Sequence, residues 1–518
     1  MGIATRIRVM PAYLACGLAI ALALSAACGG GGEAARPTAQ ADRVAATATA
    51  ARGTSIEDEG ADAFLASSQR LQEQGKLAEA LEVLEEAVRL HPDSVEALME
   101  RGDVFRLMGR LEEAIVDYGA VIAQRPGDVE AYIRRGASSA KLSRFEPALQ
   151  DFTRAVELDP QADVYRNRGL VYYSMEEPEK AIADFEKAIE LNPAMTVAYN
   201  DRGLAYVKLG QYQTAITDFD KAIELKPGFV VAYANRGDAW QGLGNFFFAI
   251  DDYNLALQRD PNYAPAYHNR GRAYRSVHNY ENAIKDFDMA IQLSPRTAEA
   301  YYNRGIAYGL VNDFQAAIDD YSRALLQNPV FADAYFRRAG AYGQFNDFAR
   351  AVEDLDIAIG LAPDNAEYWQ SRGLAYNNLG QPQKALEDLA HAIGLAPDNP
   401  VSYNDRGAAY LALGQPEEAI EDFTKAVELD PQYATALANR GGAYFQMGQY
   451  EQALADLDAA LKLDGANADA YARRARVLTA LSRDGEAALD VQAITQMGLD
   501  TSRLAADLET IRQQRSGP

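Results

Sequence analysis

Tyr199-Asn200-Asp201-Arg202-Gly203-Leu204-Ala205-Tyr206 returns almost intact as Tyr403-Asn404-Asp405-Arg406-Gly407-Ala408-Ala409-Tyr410, 204 residues and six periods of 34 further along the chain. Comparing the chain with itself at that period aligns thirteen units from about Ala61 to Asp500, with one residue missing between Pro160 and Val164. A period of this length makes each unit one supersecondary element whose apolar face is buried only by its neighbours. Counting from the first residue of each unit, position 20 is Ala in all thirteen, from Ala80 to Ala487. Position 27 is Ala in eleven, with Val121 and Ile494 departing, and Pro closes eleven units, from Pro92 to Pro431. Small residues such as Gly203 and Ala215 mark the close crossing of two short antiparallel helices. Tyr199, Tyr206 and Phe219 flank that crossing at helical spacing. Ala215, Ile216, Phe219, Ala222 and Ile223 give the second helix its apolar stripe. Twenty of the 29 tyrosines occupy positions 4, 11 or 24, so the tyrosine excess reads as core packing and requires no aromatic ligand box.

This pattern resembles the tetratricopeptide repeat. The resemblance implies an all-α fold: a right-handed α-solenoid superhelix of thirteen helix-turn-helix units over residues 61–500, closed by a capping helix and tail at 501–518. First helices would line a concave groove through positions 2, 5, 6, 9, 12 and 13. One departure from the family pattern stands out. Position 7, usually a buried Leu, is Arg in twelve units, from Arg101 to Arg474, and position 23 is Asp in the same twelve, from Asp117 to Asp490. The first unit has Ser67 and Val83 instead, so both partners vanish together. An Arg–Asp ion pair between the two helices of each unit is therefore expected, the planar guanidinium suiting a carboxylate at a partly buried seam.

The length of 518 residues alone would suggest three or four globular domains, which the period replaces with one continuous array. Apolar residues form 48% and charged residues 24%, ordinary values that argue against wholesale disorder and against a polytopic membrane protein. The formal charge of −24 argues against binding nucleic acid, which needs a cationic face. Arg6 and Arg8 precede an uncharged apolar run from Met10 to Ala27, the layout of an export signal over residues 1–27. Leu24-Ser25-Ala26-Ala27-Cys28 resembles a bacterial lipoprotein signal, which implies a lipid-anchored protein of the cell envelope with Cys28 as the lipidation site. Ser25 stands where that family usually has Leu, so cleavage without lipid or a retained anchor helix are the alternatives. Residues 28–60 have almost no large apolar side chains and read as a flexible linker.

Nothing in the sequence resembles a catalytic constellation, cofactor cradle or metal site. His91, His268, His278 and His391 fall at unrelated positions, and the expected function is non-enzymatic, with no cofactor. What remains is a surface for proteins or peptides. Position 6 is Asn at Asn167, Asn235, Asn269, Asn303 and Asn439, which resembles the asparagine ladder of O-linked N-acetylglucosamine transferases; Arg134, Arg337 and Ser371 interrupt it. Units seven to nine add a basic stretch of His268, Arg272 and Arg275. They also add apolar area from Tyr302, Ile306 and Phe336 beside Gly309, Gly340 and Gly343, where an acidic or aromatic peptide could dock. Phe247 and Phe248 are expected on the opposite surface. The competing readings are a carbohydrate- or ligand-binding envelope protein, with Tyr302, Phe336, Tyr173 and Phe445 as stacking rings, and a structural spacer.

Overall fold

A computed structural model describes residues 60–515, so the export-signal, lipidation and linker assignments at residues 1–59, Cys28 included, lie outside the described residues, as does the tail beyond residue 515. The described residues form 27 helices and no strand, and they divide into two compact units between residues 266 and 267. The helices come in thirteen consecutive pairs at the 34-residue period, followed by the helix Ser502–Arg515. In each pair the first helix covers positions 1–13 and the second begins at position 17, as in Thr196–Lys208 and Tyr212–Leu225.

Local chemistry sets both turns. Position 15 has positive φ in all thirteen pairs: Gly at Gly75, Gly109 and five later sites, but Ser143, Glu176, His278, Asn312, Asn346 and Ser482 elsewhere. A left-handed residue there ends the first helix, and its neighbour's amide returns to the last turn, as when Gln211 N donates to the Tyr206 carbonyl at 2.9 Å. His278 is thereby accounted for as a turn residue. In eleven units the proline at position 32 holds the preceding residue out of helical conformation; Lys226, before Pro227, sits at φ −141° and ψ 88°. The ring at position 4 then fastens this turn. Tyr132, Tyr233, Tyr301 and Tyr403 donate their hydroxyls to the carbonyls of Pro126, Pro227, Pro295 and Pro397 at 3.2–3.4 Å, and Trp369 Nε1 donates to Pro363 at 2.7 Å. The position-24 rings Tyr118, Tyr253 and Tyr321 are deep core, whereas the tyrosines at positions 4 and 11, Tyr233 apart, are only partly buried.

Within a pair, the position-24 ring lies against the glycine at position 8. A Cβ added to Gly203 would stand 2.6 Å from Phe219 Cε1, and at Gly237 2.7 Å from Tyr253 Cε1. The expected Arg–Asp pairs all form. In each of the twelve, Nε and Nη2 of the arginine grip both carboxylate oxygens, at 2.7–3.0 and 2.5–2.8 Å. The Asp side chains retain 3–12% of their exposure and the Arg side chains 12–28%.

The remaining arginine nitrogen does something the repeat pattern does not announce. In seven of the twelve, Nη1 donates back to position 25 on the second helix of the preceding pair. Arg304, Arg372 and Arg474 meet Asp288, Asp356 and Asp458 at 2.5–2.6 Å, and Arg236 meets Asp220. Arg168, Arg338 and Arg440 meet Thr153, Ser322 and Thr424 at 2.9–3.3 Å. One guanidinium therefore joins three helices. At the C-terminal end, Leu504 and Leu508 of the last helix bury against Ala475, Leu478 and Ile494, covering an apolar face that would otherwise await another repeat.

Arg304→Met or Asp320→Leu alone strands a buried charge and is expected to cost ~3–5 kcal/mol, whereas the double substitution recovers most of the loss. Amide hydrogen exchange across Ala298–Leu310 and Phe314–Gln327 reads this locally, which matters in a repeat array where global unfolding need not be two-state. A double mutant no better than the sum of the singles would refute the coupling.

Candidate functional site

The residues singled out as candidate ligand contacts lie on the first helices. Position 6, expected to present free amides, is largely engaged with position 5 of the preceding unit. Asn235 Nδ2 donates to Asn200 Oδ1 at 2.8 Å, and Asn439 Nδ2 to Asn404 Oδ1 at 2.9 Å. Arg166 Nε donates to Asp201 at 2.6 Å, and Gln370 holds Asp405 in the same way. Asn303 is fully engaged: Nδ2 reaches His268 Nε2 at 3.0 Å and the Glu299 carbonyl at 2.9 Å, while Oδ1 accepts from Arg275 Nη1 at 2.9 Å. Asn167 and Asn269 occupy the equivalent helix positions, both half-buried. Asp201 and Asp405 are buried, and burial raises the pKa of both carboxyls.

His268 adds no charge to the expected basic stretch at neutral pH. Burial, then repulsion by Arg272 and Arg275, pushes its imidazole down to about 4, and the neutral ring accepts from Asn303. Arg275 is itself held below the ordinary arginine value, by burial first and then by Arg272 and Arg337, although Tyr302 acts in the opposite direction. Arg272, Arg275 and Arg337 form no ion pair among the described residues. In an acidic chain this cluster of unneutralised guanidiniums is distinctive.

Beside it lies an open cavity of about 280 Å³, lined by Ile306, Leu310, Phe314, Phe336, Arg337 and Gly340 among others. Sequence reasoning reached Ile306, Phe336 and the glycines but not Leu310 or Phe314, which are unremarkable at their own repeat positions. The glycines explain the space. A Cβ on Gly340 or Gly343 would meet nothing within 4 Å, and one on Gly309 only the Tyr321 hydroxyl at 4.0 Å, whereas one on Gly305 would stand 2.7 Å from Tyr321. Gly305 is needed by the fold; Gly340 and Gly343 are not.

The proposed stacking rings are mostly engaged. Tyr302 packs 4.6 Å from Phe331 and 6.0 Å from Tyr321, Phe336 packs 5.0 Å from Tyr368, Phe445 lies 5.6 Å from Tyr450, and Tyr173 is buried. On another surface Phe247 and Phe248 are exposed at 74% and 58%, as expected, with Phe248 5.0 Å from Trp240. No group of three or more His, Cys, Asp or Glu side chains among the described residues is placed to hold a metal ion, and no described helix is long and apolar enough to cross a membrane.

Models of the tetratricopeptide repeat match residues 65–129, 129–161, 162–195, 196–229, 252–285, 298–331 and 338–404, and models described as TPR repeat match 271–311, 407–448 and 441–481. No curated protein matches the chain. Among solved structures, MamA is 31% identical over 31% of this chain and 94% of its own, with a TM-score of 0.30. YrrB, described as a TPR protein with an unusual peptide-binding site, is 24% identical over 36% and 95%, TM-score 0.33. A tetratricopeptide repeat protein from Parabacteroides merdae ATCC 43184 is 22% identical over 50% and 98%, TM-score 0.41.

Two outcomes follow from this geometry. Gly340→Ala is expected to raise stability by up to ~1 kcal/mol, the ordinary helix-propensity gain. Gly203→Ala lowers it by ~1–3 kcal/mol through overpacking against Phe219. Denaturant melts of the pair discriminate a glycine kept for space from one kept for packing. His268 carries the second. Its folded pKa of about 4 lies below the ordinary 6.5, so its stabilising contribution is complete above pH 6.5 and lost as the pH falls toward 4. His268→Gln should flatten that part of the pH–stability curve, and an unchanged slope would show that the imidazole is not buried neutral.

Proposed function

The chain belongs to the tetratricopeptide-repeat family, and from that premise we propose that it is a non-enzymatic scaffold of the bacterial cell envelope. It is exported by residues 1–27, tethered through lipid on Cys28, and binds proteins or peptides on the surface of its first helices. The observation that carries the binding role is the division of labour within each unit. The Arg–Asp pair, the Gly–ring contact and the turn hydrogen bonds recur from unit to unit. The exposed positions of the first helices change from unit to unit on that constant frame, and a few variable side chains on a constant shape are how such a surface reads a ligand.

Supporting an anchored location, the charged-then-apolar stretch ending at Cys28 has the order of an export signal, and a second cysteine occurs only at Cys16 within that stretch. With residues 1–27 removed, no second cysteine remains in the chain to pair with Cys28, which favours a modification of that residue. The acidic balance suits partners that are neutral, cationic or locally matched to the Arg272 cluster, and disfavours nucleic acid.

The test is fractionation of cells expressing the full chain. The wild type should sediment with membranes and extract into detergent, while Cys28→Ser should shift to the soluble exported fraction or accumulate unprocessed. Affinity purification of the detergent-extracted chain should co-purify a small set of envelope proteins. Equal membrane association of Cys28→Ser would overturn the lipid tether, and a chain retained in the cytoplasm would overturn the envelope role.

A further inference from the structure

We propose that the cavity beside Phe336 and the arginines next to it form one bipartite peptide site, which takes a single large apolar side chain in the cavity and an acidic residue of the same peptide on Arg337, Arg275 and Arg272. The proposal deepens the peptide-binding reading above and rests on it.

Size is the first argument. The cavity holds about 280 Å³, at or below the lower limit for pockets that enclose a whole small-molecule ligand, ~300–1,000 Å³. It is adequate for one aromatic or leucine side chain entering from an extended partner. Its lining agrees: Ile306, Leu310, Phe314 and Phe336 are apolar, and Leu310 is exposed at 48%. Full burial of a Leu or Phe side chain releases roughly 1.5–3 kcal/mol.

Helix chemistry is the second argument. Gly340 and Gly343 lie inside the helix Ala332–Gln344 with open space where a Cβ would be, so packing does not call for glycine there. Each is unfavourable in a helix interior by about 1 kcal/mol relative to Ala. Gly340 lines the cavity, and the space its missing side chain leaves is part of that cavity.

Charge is the third. Arg337 lines the cavity and lies 5.6 Å from the Phe336 ring centroid. Arg275 donates through Nη1 to Asn303 at 2.9 Å, on the same helix as the cavity residues Ile306 and Leu310, and it interacts electrostatically with Arg272 and Arg337. The carboxylates nearby do not quench them. Asp333 accepts from the Tyr368 hydroxyl at 2.6 Å, and Glu367 acts on Arg337 without an ion-pair contact. Arg275 gives one N–H to Asn303 and keeps the rest of its donor fork for an incoming carboxylate. An anion entering here relieves the repulsion among the three guanidiniums, so the acidic residue is favoured beyond simple pairing.

The experiment uses the full chain and fluorescent peptides of about ten residues carrying Asp-Asp-Phe in a Gly/Ser background. Companion peptides have the Phe replaced by Ala or the acids by Asn or Lys. The acidic aromatic peptide should bind at least tenfold more tightly than any companion, with affinity falling as salt rises. Gly340→Leu, which fills the cavity, and Arg272→Glu with Arg337→Glu, which reverses its rim, should each weaken it at least tenfold. The reversed rim should prefer the Lys peptide. Gly340→Ala serves as the milder filling variant should the leucine disturb the helix. Equal affinity for the acidic and Asn peptides, or no effect of filling the cavity on a peptide that does bind, would overturn this site and leave peptide binding elsewhere intact. If a random-sequence peptide library displayed on phage also yields no binder to the full chain, the peptide-binding reading itself falls with it.

Discussion

A guanidinium with five N–H donors, set at position 7 of a thirteen-residue helix, determines how these helices stack. Two donors face both oxygens of the Asp sixteen residues on, fixing the rotation of one helix about the other. A third is left pointing at the preceding pair, as in Arg338, which binds Asp354 twice and Ser322 once. A lysine would give a point charge without that directional fork. Because the carboxylates are buried and the guanidiniums nearly so, the attraction is offset by desolvation, and an apolar pair of equal volume would be about as stable. What the apolar pair would lack is direction. The arginine specifies which helices meet and at what register, while the position-8 glycine and position-24 ring supply the close contact.

The acidic balance takes its meaning from this arrangement. Twelve arginines are committed to the seams, and several position-25 carboxylates share them, so much of the chain's basic charge is internal. The remaining surface is correspondingly more acidic than the composition suggests. Unneutralised arginines at Arg272, Arg275 and Arg337 are then a local reversal of sign on the first helices.

Some of this was legible in the sequence and some was hidden by the nature of a repeat. The intra-unit pair was legible because Ser67 and Val83 replace both partners at once in the first unit. The third arginine contact was not, because position 25 varies: Asp, Ser or Thr accepts from the arginine in seven units, whereas Gly119 and Ala390 offer no side-chain acceptor. The asparagine contacts were hidden differently. Aligning at 34 residues compares position 6 with position 6, but Asn235 touches Asn200 and Asn439 touches Asn404, an offset of 35 that pairs position 6 with position 5 of the preceding unit. The cavity was half legible. Glycines inside a helix stand out against propensity, whereas Leu310 and Phe314 gain their role only from the space that Gly340 leaves.

These contacts bear on how such a surface discriminates. A ladder of free amides would hold any extended backbone, giving affinity with little selectivity. In Asn303 both amide hydrogens and the carbonyl oxygen are already bound within the protein, and in Asn235 and Asn439 one hydrogen is spent on the neighbouring unit. Side-chain amides used to hold units together are poorer at holding a ligand's main chain, because a new partner must replace a bond already made. Selectivity on this face therefore falls to groups the fold does not consume: an apolar cavity opened by dispensable glycines and guanidiniums left without carboxylates. Both respond to what a side chain is rather than to the backbone that carries it.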